Sequence, residues 1–236
     1  MPFLLLGIAI YIKYYNYILN EKKLQELLNG IVSDWQTERT KEELQILHTY
    51  SERGLFFNSI YKGSICSSVI AFILLPAVPT VLDIFAPLNV SRDRLLVYPS
   101  YYFVNQEQYY YPILGHMMVC ACILGCTFVA CDVNLIQIVQ HGCGLIAISG
   151  YRFKHAIDSV NLHEEKRNDT LSNETYKKVT RCIEAHKRAD EYVKAIEACH
   201  VHYILVTAAF IVMVFTVTLI KASHHATVTL CYLIID

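Results

Sequence analysis

Apolar residues in this chain come in long blocks, not at the three-to-four-residue spacing of a helix half-buried in water. The blocks are residues 2–19, 63–88, 112–139 and 202–220, with a shorter apolar stretch at 226–235. A helix needs roughly 20 apolar residues to cross a hydrocarbon core about 30 Å thick. The pattern therefore predicts an all-α, multi-pass transmembrane helical bundle. Block 2–19 is short for a full span and reads as a spanning helix or the end of one. It has neither the basic n-region nor the small-residue cleavage site of a signal peptide. Block 112–139 is about 40 Å long at ~1.5 Å per residue, so it should tilt or protrude.

The stretches between the blocks also carry helical patterns. Leu24, Leu27, Leu28, Ile31, Val32 and Trp35 fall on one face of an amphipathic helix. That face can dock on a membrane surface or a partner helix, or pack within its own bundle. From Tyr151 onward there is no Gly or Pro, and one long helix is expected over residues 175–221. Pro76, Pro79 and Pro87 crowd the outer half of the second block, where they should break or kink it. Carbonyls freed at such a break need neighbouring helices or water, which makes that depth a place for a cavity.

Charge orients the blocks. Segments 20–62 and 150–201 are rich in Lys and Arg, whereas segment 89–111 carries only Arg92 and Arg94. By the positive-inside rule the first two are cytoplasmic loops and the third is an outer loop. Residue 1 would then lie outside, and the simplest expectation is an upstream helix not included in this chain. The composition agrees with a membrane protein, at 54% hydrophobic and 17% charged, against ~25% charged in soluble domains. A net charge of −1 offers nothing to nucleic acid. The outer segment has no cysteine, and several of the nine lie in apolar segments, so a disulfide framework is not expected.

Candidate chemistry is sparse. There is no HExxH, GxSxG or P-loop, so an enzyme is not expected. His116 with Cys120, and His141 with Cys143, lack the ligand set of a closed metal site; no metal or other cofactor is expected. Asn134, Gln137, His141 and Gly144 share a face of the third block near its cytoplasmic end, with Asp132 close by. Polar groups in lipid are costly, so this face should meet protein or water. Cys122, Cys126 and Ala130 form a small-residue strip suited to helix packing. The outer segment is rich in tyrosine, including Tyr101, Tyr102 and Tyr109. These side chains suit either an aromatic belt at the headgroups or a vestibule for an apolar ligand. Asn89 heads an outward N-x-S sequon and is a candidate for glycosylation.

Three runs carry a family resemblance: LLPAVPTVLDIFAPLNVSR, YYFVNQEQYYYPIL and IVQHGCGLIAISGYRFKHAI. With the segment HKRADEYVKAIEACHVHYILVTAAFIV, the chain resembles the insect odorant receptor family from about residue 19 to 220. The four blocks would correspond to helices two to five of a seven-helix receptor with a cytoplasmic N-terminus. The family is distinct from G-protein-coupled receptors, and the outer segment indeed lacks the cysteine those receptors use to tie it down.

The resemblance implies a subunit of a ligand-gated cation channel, assembled as a hetero-tetramer with a shared co-receptor in the plasma membrane of sensory dendrites. Small volatile odorants would bind in an apolar transmembrane pocket, and the seventh helix would line the pore. No counterpart of that pore helix is expected in this chain, which reads as the ligand-binding middle of such a receptor. Placed on these positions, the pocket would draw on Phe72, Pro76 and Thr80 from the second block and His116, Met117 and Cys120 from the third. Tyr101, Tyr102 and Tyr109 would form the vestibule. A gustatory-type chemoreceptor and a non-functional fragment are the competing readings.

Overall fold

The long apolar blocks become still longer helices. The computed structural model describes the backbone of residues 2–86, 92–98, 100–161 and 169–235, with side chains over 4–86, 92–98, 100–158 and 175–223. Helix α1 (Pro2–Leu19) is followed by α2 (Glu21–Gln36), α3 (Lys41–Leu74), a 3₁₀ turn (Leu75–Ala77), α4 (Val78–Phe85), α5 (Tyr110–Asn161) and α6 (Asp169–Ile235). No strand occurs among the described residues. Among the described residues, three stretches are long and apolar enough to cross a membrane: Lys41–Phe85, Tyr110–Asp158 and Thr175–Ser223. Leu4–Leu19 is apolar but shorter.

Helix α5 spans 52 residues, about 78 Å at 1.5 Å per residue. It exceeds block 112–139 because residues 140–161 keep the helix into the basic segment. Helix α6 takes in the whole stretch expected to be helical at 175–221. With neither Gly nor Pro, it has nothing to stop it.

The proline break falls where the sequence places it. α3 ends at Leu74, and Pro76 and Pro79 occupy the first turns of the 3₁₀ element and of α4. Neither proline has an N–H for the ladder, and each ring would collide with the carbonyl four residues back. The helix gives way to a tighter turn. Pro87 lies outside the described residues.

The chain divides into two compact units. The apolar unit comprises residues 1–15, 61–131 and 203–236. Many of its large side chains stay exposed, among them Leu205, Val212 and Phe215. An apolar surface on that scale is not stable in water and suits a lipid environment.

Inside this unit α3 and α5 approach closely at Gly125, where a Cβ would sit 2.9 Å from Val69 Cγ2. The small strip expected to pack is turned elsewhere, since Cys122, Cys126 and Ala130 are exposed in the isolated chain. Gly125→Val is expected to cost ~1–3 kcal/mol by overpacking. Thermal unfolding in detergent checks this, and adding Val69→Ala should recover part of the loss.

The polar unit comprises residues 16–60 and 132–202. Leu24 and Leu27 of α2 are buried with Ile138 and Cys199, and Tyr17, Ile31, Tyr192, Ala195 and Ile196 pack around them. The amphipathic face of α2 is therefore a core face within its own unit. Thr40 starts α3 as an N-cap, its hydroxyl accepting the Glu43 N–H at 3.3 Å. The polar face of α5 meets protein. Gln137 Oε1 accepts a long 3.5 Å bond from Asn58, and Gly144 lies against Leu47 and Tyr50 of α3. Asn134 is exposed.

Candidate functional site

In the apolar unit, the segment before α5 folds back and plants Val97 beside Ile113 and Met117 of α5. All three are nearly fully buried, and Met117 is 0% exposed. Phe72, Leu96, Tyr98, Tyr102 and Leu114 pack around them. Turn chemistry holds this segment in place. The Arg92 guanidinium and N–H both bond the Asp83 carboxylate. Tyr110 donates its hydroxyl to Leu95 O at 3.0 Å, and Arg94 lies over the rings of Tyr110 and Tyr111. Asn105 Oδ1 accepts from the N–H of Glu107 at 3.0 Å and of Gln108 at 3.4 Å. Phe103 takes φ 58°, a left-handed conformation rare for a bulky residue.

Beside the apolar cluster runs a short polar relay. Tyr102 Oη lies 2.8 Å from His116 Nδ1, and His116 Nε2 lies 3.6 Å from Cys120 Sγ. Both contacts are satisfied when the tyrosine donates to Nδ1 and the Nε2 proton points at sulfur. Burial first, then Tyr98 and Cys120, push the Tyr102 hydroxyl above its ordinary value, so it remains a donor at neutral pH.

Of the candidate ligand-binding residues, the structure gathers Phe72 and Met117 in one cluster with Tyr102, and His116 and Cys120 adjoin it through the relay. Pro76 is buried in the 3₁₀ turn. Thr80, Tyr101 and Tyr109 are exposed. Tyr101 packs edge-on against Phe103. Asn89 lies outside the described residues.

Two features were not singled out from the sequence. Lys13, in an apolar helix, is 5% exposed, with its Nζ 3.7 Å from the centre of the Phe128 ring. A lone lysine in an apolar block is a signal that could have been read. The other is Asp34, in the polar unit. Its carboxylate is buried and receives Arg39 Nη2 at 2.9 Å, His141 Nε2 at 3.0 Å and Arg188 Nη2 at 2.7 Å. Nearby, Glu43 forms a two-pronged pair with Arg152, Nε to Oε1 at 2.6 Å and Nη2 to Oε2 at 2.9 Å.

Burial pushes the Asp34 carboxyl up, but the His141 hydrogen bond, Arg188 and Arg39 outweigh it and hold it below 3.8. The Arg152 hydrogen bonds hold Glu43 below 4.5 against its own burial. Both folded values are depressed. The stability these groups contribute is therefore complete above their unfolded values and is lost as pH falls through the folded ones. The unfolding temperature in detergent is expected to fall steeply below about pH 4. A variant with both carboxyls replaced by alanine should show a flatter acid limb.

Among the described residues no three of His, Cys, Asp and Glu gather as a metal-binding set. Three spanning-length apolar helices and an apolar cluster under an aromatic segment describe a multi-pass helical membrane protein. The family model described as 7tm Odorant receptor matches residues 1–235. The chain belongs to the odorant receptor family, a family of chemosensory membrane receptors and not of enzymes. No curated protein matches it.

Proposed function

We propose that this chain is an odorant receptor subunit that binds small volatile ligands at the Val97–Ile113–Met117 cluster and gates a cation channel together with a co-receptor subunit, in the plasma membrane of sensory neurons. The supporting observation is the Tyr102–His116–Cys120 relay set against an apolar cluster. Ligand pockets are mostly apolar, with a few polar groups that fix orientation, and this arrangement has both parts. A volatile would be held by dispersion and by loss of its apolar hydration. Its one polar group would exchange hydrogen bonds with Tyr102 or His116. The charge-derived topology, with 20–62 and 150–201 inside and 89–111 outside, puts this cluster towards the outer face, where odorant arrives.

The test is a current recorded from cells that express a full-length receptor containing this chain together with the co-receptor, across a volatile panel. Odorant-evoked cation current is expected. Tyr102→Phe should weaken alcohols, aldehydes and ketones by about tenfold, the value of a lost hydrogen bond to a polar ligand. Hydrocarbons of the same size should be unaffected. Surface expression without current to any volatile would overturn the reading.

A further inference from the structure

The polar unit contains a cavity that the odorant reading does not use. Its volume is about 720 Å³, within the ~300–1,000 Å³ of small-molecule sites. Arg39, Arg152, Lys178 and Arg181 line it, with Glu38 and Glu43. Buried Cys182 and Ala156 add an apolar surface, and Tyr151 and His155 stack edge to face at 4.4 Å.

The lining is built for anions. Glu43 uses both oxygens on Arg152, and Asp34, which lies outside the lining, binds Arg39 through Nη2 and a backbone carbonyl through Nε. These carboxylates fix two guanidiniums in place without consuming them. In each, Nη1 makes no hydrogen bond among the described residues. Arg181 is exposed and forms no ion pair among the described residues. Held guanidinium forks with spare donors are the usual recognition elements for phosphate. Glu38 is the opposing charge at the rim, and it is exposed.

We infer that this cavity binds a compact anion carrying more than one phosphate, either free in solution or as a lipid headgroup. A single phosphate would leave most of the cavity empty and some of the arginines unused. The positive-inside rule puts this unit in the cytoplasm, where both sources occur. The inference stands apart from odorant binding, because it concerns the other unit and its readout is binding, not current.

The test uses the purified full chain, in detergent and in phosphatidylcholine nanodiscs. The probes are inositol 1,4,5-trisphosphate, inorganic phosphate, and nanodiscs with or without phosphatidylinositol 4,5-bisphosphate. Saturable binding of the trisphosphate is expected, much tighter than that of inorganic phosphate. Arg181→Gln should weaken it about tenfold while leaving the ligand-free unfolding temperature unchanged. Glu38→Gln should tighten it, a gain that misfolding could not produce. Binding stronger in the bisphosphate nanodiscs than to the soluble probe assigns the lipid headgroup; equal or weaker lipid binding assigns a free phosphate compound. Absence of saturable binding in both arms, inorganic phosphate binding as tightly as the trisphosphate, or affinity unmoved by both substitutions would overturn the inference.

Discussion

Asp34→Ala is expected to destabilise the polar unit by ~3–5 kcal/mol, the cost of removing one member of a buried charge cluster. The side chains of Asp34, Arg39 and His141 are 2%, 6% and 3% exposed. Without the carboxylate, buried His141 loses its acceptor, and Arg39 keeps only the backbone carbonyl of residue 34, which meets its Nε. Arg188 is half exposed and can turn back to water, so it adds little to the loss. Asp34 is in α2, His141 in α5 and Arg188 in α6, so the substitution also removes the polar tie among three elements. Asp34→Asn should cost less, since its amide oxygen still accepts one bond. Exposed pairs such as Lys194–Asp190 are worth only ~0–1 kcal/mol, and Asp190→Ala is the matched control. Hydrogen exchange of α2 and limited proteolysis in detergent check the ranking. Equal protection in the Asp34→Ala and Asp190→Ala proteins would show that the cluster contributes nothing beyond surface charge.

Met117→Ala is expected to cost ~2–5 kcal/mol, as for other large-to-small changes at fully buried sites. Met117 touches both α5 neighbours and the returning segment, through Ile113 and Val97. Truncation therefore opens space at the point where loop and helix meet. If odorant binds at this cluster, the same substitution should shift the response towards bulkier volatiles, while Met117→Trp should abolish it with surface expression retained. Thermal unfolding and odorant dose–response curves separate the two effects. A changed melting temperature with an unchanged ligand ranking would keep Met117 as core and move the binding site elsewhere.

Much of the fold was legible in the pattern of residues. Apolar block length predicted the spanning helices, and the lack of Gly and Pro beyond Tyr151 predicted an unbroken α6. Pro76 and Pro79 predicted the break after α3. These are local properties: helix length, ladder hydrogen bonds and proline sterics depend on residues within a turn or two. The amphipathic face of α2 was also visible, though its partner was not. The polar face of α5 was recognised, but its partners Asn58, Leu47 and Tyr50 lie in a distant part of the chain.

The candidate site divides along the same line. Phe72, His116, Met117 and Cys120 could be proposed from block position and resemblance, and Tyr102 from the tyrosine-rich segment before α5. Nothing in the sequence said that Tyr102, rather than Tyr101 or Tyr109, would reach His116. That depends on how residues 92–109 return across α5. Gly125 likewise reads as one small residue among several, until the approach of Val69 distinguishes it from Cys122 and Cys126.

The sequence by itself determined the membrane class, the helices and their breaks, the uneven charge of the segments between the apolar blocks and the family. Those follow from hydrophobicity, backbone sterics and a motif pattern, all of them readable in order along the chain. Only the tertiary structure decided the fate of Asp34. It sits between Val32 and Trp35 on a helix whose other polar residues face water, yet its carboxylate meets a histidine 107 positions away. Burial and charge pairing are properties of neighbours in space, and the long helices α5 and α6 bring such neighbours together from far apart in the chain.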